Sequence, residues 1–73
     1  MSVTFQRIRD LREDHDMTQQ KVAEYLVMKR GVYQRYESGE REIPVWALIK
    51  LAELYKTSTD YILGRTNQRD PIE

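Results

Sequence analysis

The chain has 73 residues, enough for one small domain with a modest core and little stability to spare. Its 12 Lys and Arg balance 12 Asp and Glu, so it lacks the bulk attraction that strongly basic chains have for polyanions. It has no cysteine, which excludes disulfides and thiolate metal sites.

His15 stands alone between Asp14 and Asp16, whereas a zinc site needs several nitrogen or sulfur donors; no metal and no cofactor is expected. No apolar run approaches a membrane span, and the first residues lack the form of a signal peptide, so a soluble, cytoplasmic protein is expected. No nucleophile–base pair, glycine-rich phosphate loop or metal cluster points to an enzyme. Charge is unevenly spread. Through Tyr36 there are seven cations and five acids, and the remainder reverses those numbers.

Strand signals are absent, and helical spacing appears nearly everywhere. Phe5, Ile8 and Leu11 fall on one face of a first helix, which Asp16-Met17 breaks. Thr18 reads as the N-cap of a second helix with a buried stripe of Val22, Ala23 and Leu26, although Lys21 denies it a full capping box. Val27-Met28-Lys29 is a tight connection. A third helix is expected from about Arg30 to Ser38, with Tyr33 and Tyr36 as its apolar pair and Gly39 as its left-handed stop.

A polar loop follows, from Glu40 to Ile43. Pro44 suits the first turn of a fourth helix, whose expected apolar stripe is Val45, Leu48, Leu51, Ala52 and Tyr55. Ser58 or Thr57 caps a last short helix carrying Tyr61, Ile62 and Leu63, which Gly64 ends. The domain is expected over residues 1–64, with a frayed polar tail over 65–73 that contains Pro71.

The informative segment is T-Q-Q-K-V-A-E-Y-L-V-M-K-R-G-V-Y-Q-R-Y-E-S-G, residues 18 to 39. Two short helices joined by a three-residue turn must pack steeply. Ala23 supplies the small residue at their crossing, and Met28, Tyr33 and Tyr36 supply apolar contacts. The outer face of the second helix is then Arg30, Gly31, Gln34 and Arg35. Arg and Gln are the side chains that read base edges in the major groove, Arg on guanine and Gln on adenine.

This segment resembles the phage-repressor type helix-turn-helix family, also called Cro/C1 or XRE. The family pattern is roughly T-Q-x-x-L/V-A-x-x-L-G, followed after the turn by I/Y-x-x-Y/I/W-E-x-G. The likeness continues through R-x-I-P-x-x-x-L-x-K-L-A to T-D-Y-I-L-G and covers about Phe5 to Gly64. It implies an all-α, compact five-helix bundle like the lambda-repressor DNA-binding domain. It also implies a homodimer, at least on DNA, bound to double-stranded DNA at a near-palindromic operator as a transcriptional regulator, with a repressor expected.

Residue by residue, the resemblance gives Gln19 a phosphate contact and makes Arg30, Gly31 and Val32 the start of the recognition helix, with Gln34 and Arg35 further along. Thr18, Lys29, Ser38 and the Gly39–Arg41 loop fall among the backbone contacts. Arg12 and Glu37 match a charged pair joining the first helix to the end of the recognition helix. The chain departs from the family at Val27, where Gly is usual, at Lys29, where Ser or Thr is common, and at Gly31 inside a helix. Trp46 interrupts the stripe of helix four and either covers a core edge or belongs to a dimer or partner surface, for which the candidate is Trp46 with Ser58 to Leu63 and the tail beyond. Two other readings use the same fold: an antitoxin-like protein that grips a partner, and an interaction module without DNA binding.

Overall fold

A computed structural model describes residues 3–69. Its elements are α1 (Thr4–Asp14), α2 (Gln19–Tyr25), α3 (Arg30–Ser38), α4 (Val45–Tyr55) and α5 (Thr59–Leu63). No strand occurs among the described residues. The fold is the all-α, lambda-repressor-like bundle of five helices that the helical spacing and the family resemblance imply.

Local chemistry explains the helix ends. Thr18 Oγ1 accepts from the Lys21 N–H at 3.1 Å, and Ser58 Oγ accepts from the Tyr61 N–H at 3.0 Å. Each bond satisfies one of the backbone donors that a helix start leaves unpaired. Lys29 provides no such cap to α3. Gly39 ends α3 at φ 82°, a conformation glycine adopts without the Cβ clash that other residues suffer. Pro44 is the N-cap of α4 and so lies one residue before the first turn expected for it.

The core draws on all five helices. Ile8 and Leu11 from α1 meet Val22 and Ala23 from α2, Leu26 just beyond it, Tyr33 from α3, and Ile62 from α5. The buried residues of α4 are Ala47, Leu48, Leu51, Ala52 and Tyr55. Val45, expected in that stripe, is instead 70% exposed. It sits at the first helical position, where the buried face is already taken by the i, i+1, i+4 set that starts at Ala47. Phe5, on the same expected face of α1 as Ile8 and Leu11, is 36% exposed and lies over Gly39.

The expected fraying does not hold through Arg69. The Arg7 guanidinium donates to the carbonyls of Tyr61 and Thr66 and to Asn67 Oδ1, and it stacks 4.2 Å from the centre of the Tyr61 ring. Thr57 Oγ1 donates to the Arg69 carbonyl, and Arg69 Nη2 pairs with Asp14 at 2.6 Å. Arg7 on α1, Thr57 and the Asp14–Arg69 pair thus hold the segment after α5 against the body. Pro71 lies outside the described residues.

Candidate nucleic-acid interface

The angle between α2 and α3 is set by a turn of unusual backbone. Val27 has φ 57° and is 89% exposed. A β-branched residue is strained in the left-handed region, and here no burial compensates. The turn holds because the Val27 N–H donates to the Glu24 carbonyl at 3.0 Å and the Met28 N–H to the Ala23 carbonyl at 2.9 Å. Ala23, fully buried, gives α3 room to cross.

The chain then commits the two faces of α3 to different tasks. Tyr33 and Glu37 are buried, and Val32 and Tyr36 are partly so. Arg30, Gly31, Gln34, Arg35 and Ser38 are all exposed and share the opposite face. The first four are the residues expected to read bases. Arg30 has no ion pair among the described residues, whereas Arg35 lies 3.8 Å from Glu40, with both side chains largely in solvent. An exposed pair at that distance contributes little and leaves the cation available.

The buried face is anchored by charge. Arg12 Nε donates to Glu37 Oε2 at 2.7 Å, and Arg12 Nη2 donates to Glu37 Oε1 at 3.1 Å, a two-pronged pair. The side chains are only 14% and 4% exposed. Arg12 Nη1 also donates to the Met17 carbonyl at 2.9 Å, so one guanidinium joins α1, the α1–α2 turn and α3.

Burial alone would push the Glu37 carboxyl up. Burial is the largest single effect, but the hydrogen bonds from Arg12 and Gln19 and the Arg12 charge together outweigh it, and the net shift is downward. The bond to Glu37 likewise raises Arg12, against the effect of burial. The Tyr33 and Tyr55 hydroxyls lie beside this pair, buried and without a direct hydrogen-bond partner among the described residues. Burial pushes both phenols well above their ordinary range.

The expected backbone contacts are placed less uniformly. Thr18 is exposed, but its oxygen already caps α2. Gln19 Nε2 donates to Glu37 Oε1 at 3.2 Å, which leaves one N–H and the carbonyl of its amide to turn outward. Lys29 is exposed at the start of α3. Ser38 Oγ donates to the Arg35 carbonyl at 3.2 Å and stabilises the end of the helix. Arg41 lines a groove with Thr4, Phe5, Tyr36, Ile43 and Leu63.

A shallow cleft brings Gln34 together with Gln19, Arg9, Arg12, Glu13 and Glu37. The Gln19–Glu37 bond and the clustering of both tyrosine hydroxyls around the ion pair were not foreseen from sequence. Their only trace there was Tyr33 four residues before Glu37, on the same helix face. Among the described residues no His, Cys, Asp and Glu cluster suits a metal, and no helix is long and apolar enough to cross a membrane.

A helix-turn-helix family profile matches residues 8–62. Among curated proteins, the uncharacterized HTH-type transcriptional regulator YobD of Bacillus subtilis is 41% identical over 66 residues, 90% of this chain and 59% of that protein. The HTH-type transcriptional regulator AnsR of the same organism is 36% identical over 63 residues, covering 86% of this chain and 54% of AnsR. The SPbeta prophage-derived regulator YonR, also from Bacillus subtilis and uncharacterized, is 32% identical over 68 residues, 93% of this chain and 63% of YonR. The chain therefore spans less than two thirds of the length of these relatives. No solved structure matches. The profile covers most of the chain, including α2, the strained turn and α3, and the chain belongs to the Cro/C1 (XRE) type helix-turn-helix family, as do relatives that carry the name of HTH-type transcriptional regulators.

Proposed function

We propose that this chain binds double-stranded DNA sequence-specifically through the major groove and acts as a transcriptional regulator, a repressor that works as a homodimer on a near-palindromic operator. One observation carries the reading. Arg30, Gly31, Gln34 and Arg35 share a solvent face of a helix whose opposite face is locked to α1 by the Arg12–Glu37 pair. A rigid helix presenting long donors is what base reading requires.

Arg30 is the direct reader, able to make two parallel bonds to guanine. Gln34, one turn on, reads the next position, and Arg35 reaches a base or a phosphate. Gln19 and Lys29, with Thr18, Ser38 and Arg41 around them, position the helix on the backbone without specifying sequence. Only Lys29 and Arg41 among these backbone contacts are cations, so few phosphates are neutralised, non-specific affinity is weak and the salt dependence is shallow.

The proposed dimer surface is the outer side of α4 with α5. Trp46 and Ile49 there are 49% and 46% exposed, and Leu63 is exposed nearby in sequence order on α5. Two protomers would meet half-sites about 34–36 Å apart, or a multiple of that. The same apolar face favours the second reading, a protein-interaction or antitoxin-like role. Selection of bound sites from a random duplex library, followed by sedimentation on the selected duplex, tests both. Enrichment of a near-palindrome with two protomers bound is expected. No enrichment at all would leave the interaction reading.

A further inference from the structure

The fold accounts for two of the chain's three glycines. Gly39 and Gly64 have φ of 82° and 83°, and a Cβ on Gly64 would come within 2.5 Å of Val3. Gly31 has no such reason. It lies in right-handed helix near the start of α3, and a Cβ there would meet no atom within 4 Å. Neither backbone conformation nor packing requires glycine, and glycine weakens a helix relative to alanine. What the missing methyl makes room for is outside the chain.

Successive helical residues are about 100° apart, so Gly31 falls inside the exposed arc. Arg30 and Gln34 lie to one side and Arg35 to the other. We infer that Gly31 is a steric determinant of specificity: the recess between these long side chains receives the C5-methyl of a thymine on the floor of the major groove. This rests on the DNA-binding reading above and adds a base to it. A residue with no side chain offers no side-chain donor or acceptor and selects by shape. The thymine methyl is the apolar group that base edges present in that groove. Arg30 and Gln34 read hydrogen-bonding groups, and Gly31 reads the protruding methyl beside them.

The test uses the duplex recovered by selection from a random library. Each dT is replaced in turn by dU, which deletes only the methyl, and wild type and Gly31→Ala are titrated on every duplex. Wild type is expected to lose about fourfold at one position of each half-site, the worth of burying one methyl. Gly31→Ala is expected to lose tenfold or more on the dT duplex and to recover most of that on the dU duplex, where its own methyl fills the gap. A Gly31→Ala melting temperature at or above wild type separates this loss from misfolding. Wild type indifferent to every dU, or Gly31→Ala equal to wild type throughout, overturns the inference and leaves DNA binding intact. Wild type with no preference for the selected duplex over a scrambled one overturns the reading beneath it.

Discussion

The Gln19 side-chain amide donates to Glu37 Oε1 at 3.2 Å, so the residue that opens α2 is tied to the last turn of α3. The same oxygen accepts from Arg12 Nη2 at 3.1 Å. Glu37 therefore fixes a proposed backbone contact and holds the recognition helix on α1 at once. Its cost is a buried carboxylate, and its stability depends on keeping both partners.

Removal of one partner is expected to be expensive. Arg12→Ala leaves Glu37 buried without its main donor, and breaking such a pair typically costs about 3–5 kcal/mol. The double substitution Arg12→Met with Glu37→Leu is expected to recover much of that, because the uncompensated charge is gone. Urea titration of both single variants and the double gives the coupling energy. A coupling near zero would show that the pair does not hold the fold together.

The same cluster predicts stability lost at both pH extremes. Glu37 is held below its ordinary value of 4.5, so its contribution is present above that pH and fades as pH falls through the lowered folded value. Tyr33 and Tyr55 are shifted upward, so their contribution is present below the ordinary phenol value of 10.0 and fades as pH rises beyond it. Thermal melts from pH 2 to 12 are expected to show a plateau bounded by these two declines. Glu37→Gln should flatten the acid limb relative to wild type while lowering the plateau. An acid limb unchanged in the variant would assign it to other carboxylates.

Val27 offers a stabilising substitution. The left-handed region costs an ordinary L-residue about 1–2 kcal/mol, and Val27 gains no burial in return. Glycine removes the strain but adds some unfolded-state entropy, so Val27→Gly is expected to gain about 1 kcal/mol. A rise in melting temperature with unchanged circular dichroism checks it. A fall would mean that the exposed valine makes a contribution its surroundings do not reveal.

Arg7 is expected to control the segment after α5. Arg7→Ala removes the donors to Tyr61, Thr66 and Asn67, and Arg7→Lys keeps only the charge. Amide exchange over residues 65–69 should accelerate in both variants, more in Arg7→Ala, while the α2–α3 amides stay protected. Unchanged exchange would show that Thr57 and Arg69 hold the segment without it.

Much of this architecture was legible because local chemistry repeats it. Thr18 and Ser58 cap where side-chain oxygens precede apolar runs, and Gly39 and Gly64 stop helices where only glycine is unstrained. The exposed face of α3 followed from the 3.6-residue period once Tyr33 was placed inside. The start of α4 was misread because Val45 and Ala47 both fit an apolar stripe, and only the position of the neighbouring helices selects between them. The clasp on residues 65–69 was invisible for a different reason. Arg7 bonds mainly to backbone carbonyls, which every residue has, so no pattern of side chains announces it. Glu37 reads as a surface charge from composition alone, and the resemblance to the family was what pointed to its pairing with Arg12.

In the proposed function, the exposed face of α3 reads bases while Gln19 positions it. Affinities of wild type, Arg30→Ala and Gln19→Ala for a panel of single-base variants of the selected duplex test this directly. Arg30→Ala is expected to lose about 1–3 kcal/mol on the best sequence and to flatten the preference at one base pair. Gln19→Ala is expected to weaken every variant about equally and leave the order of preference unchanged. If Arg30→Ala instead weakens all variants alike and the preferences survive, Arg30 is a phosphate clamp and the account of the reading head is wrong.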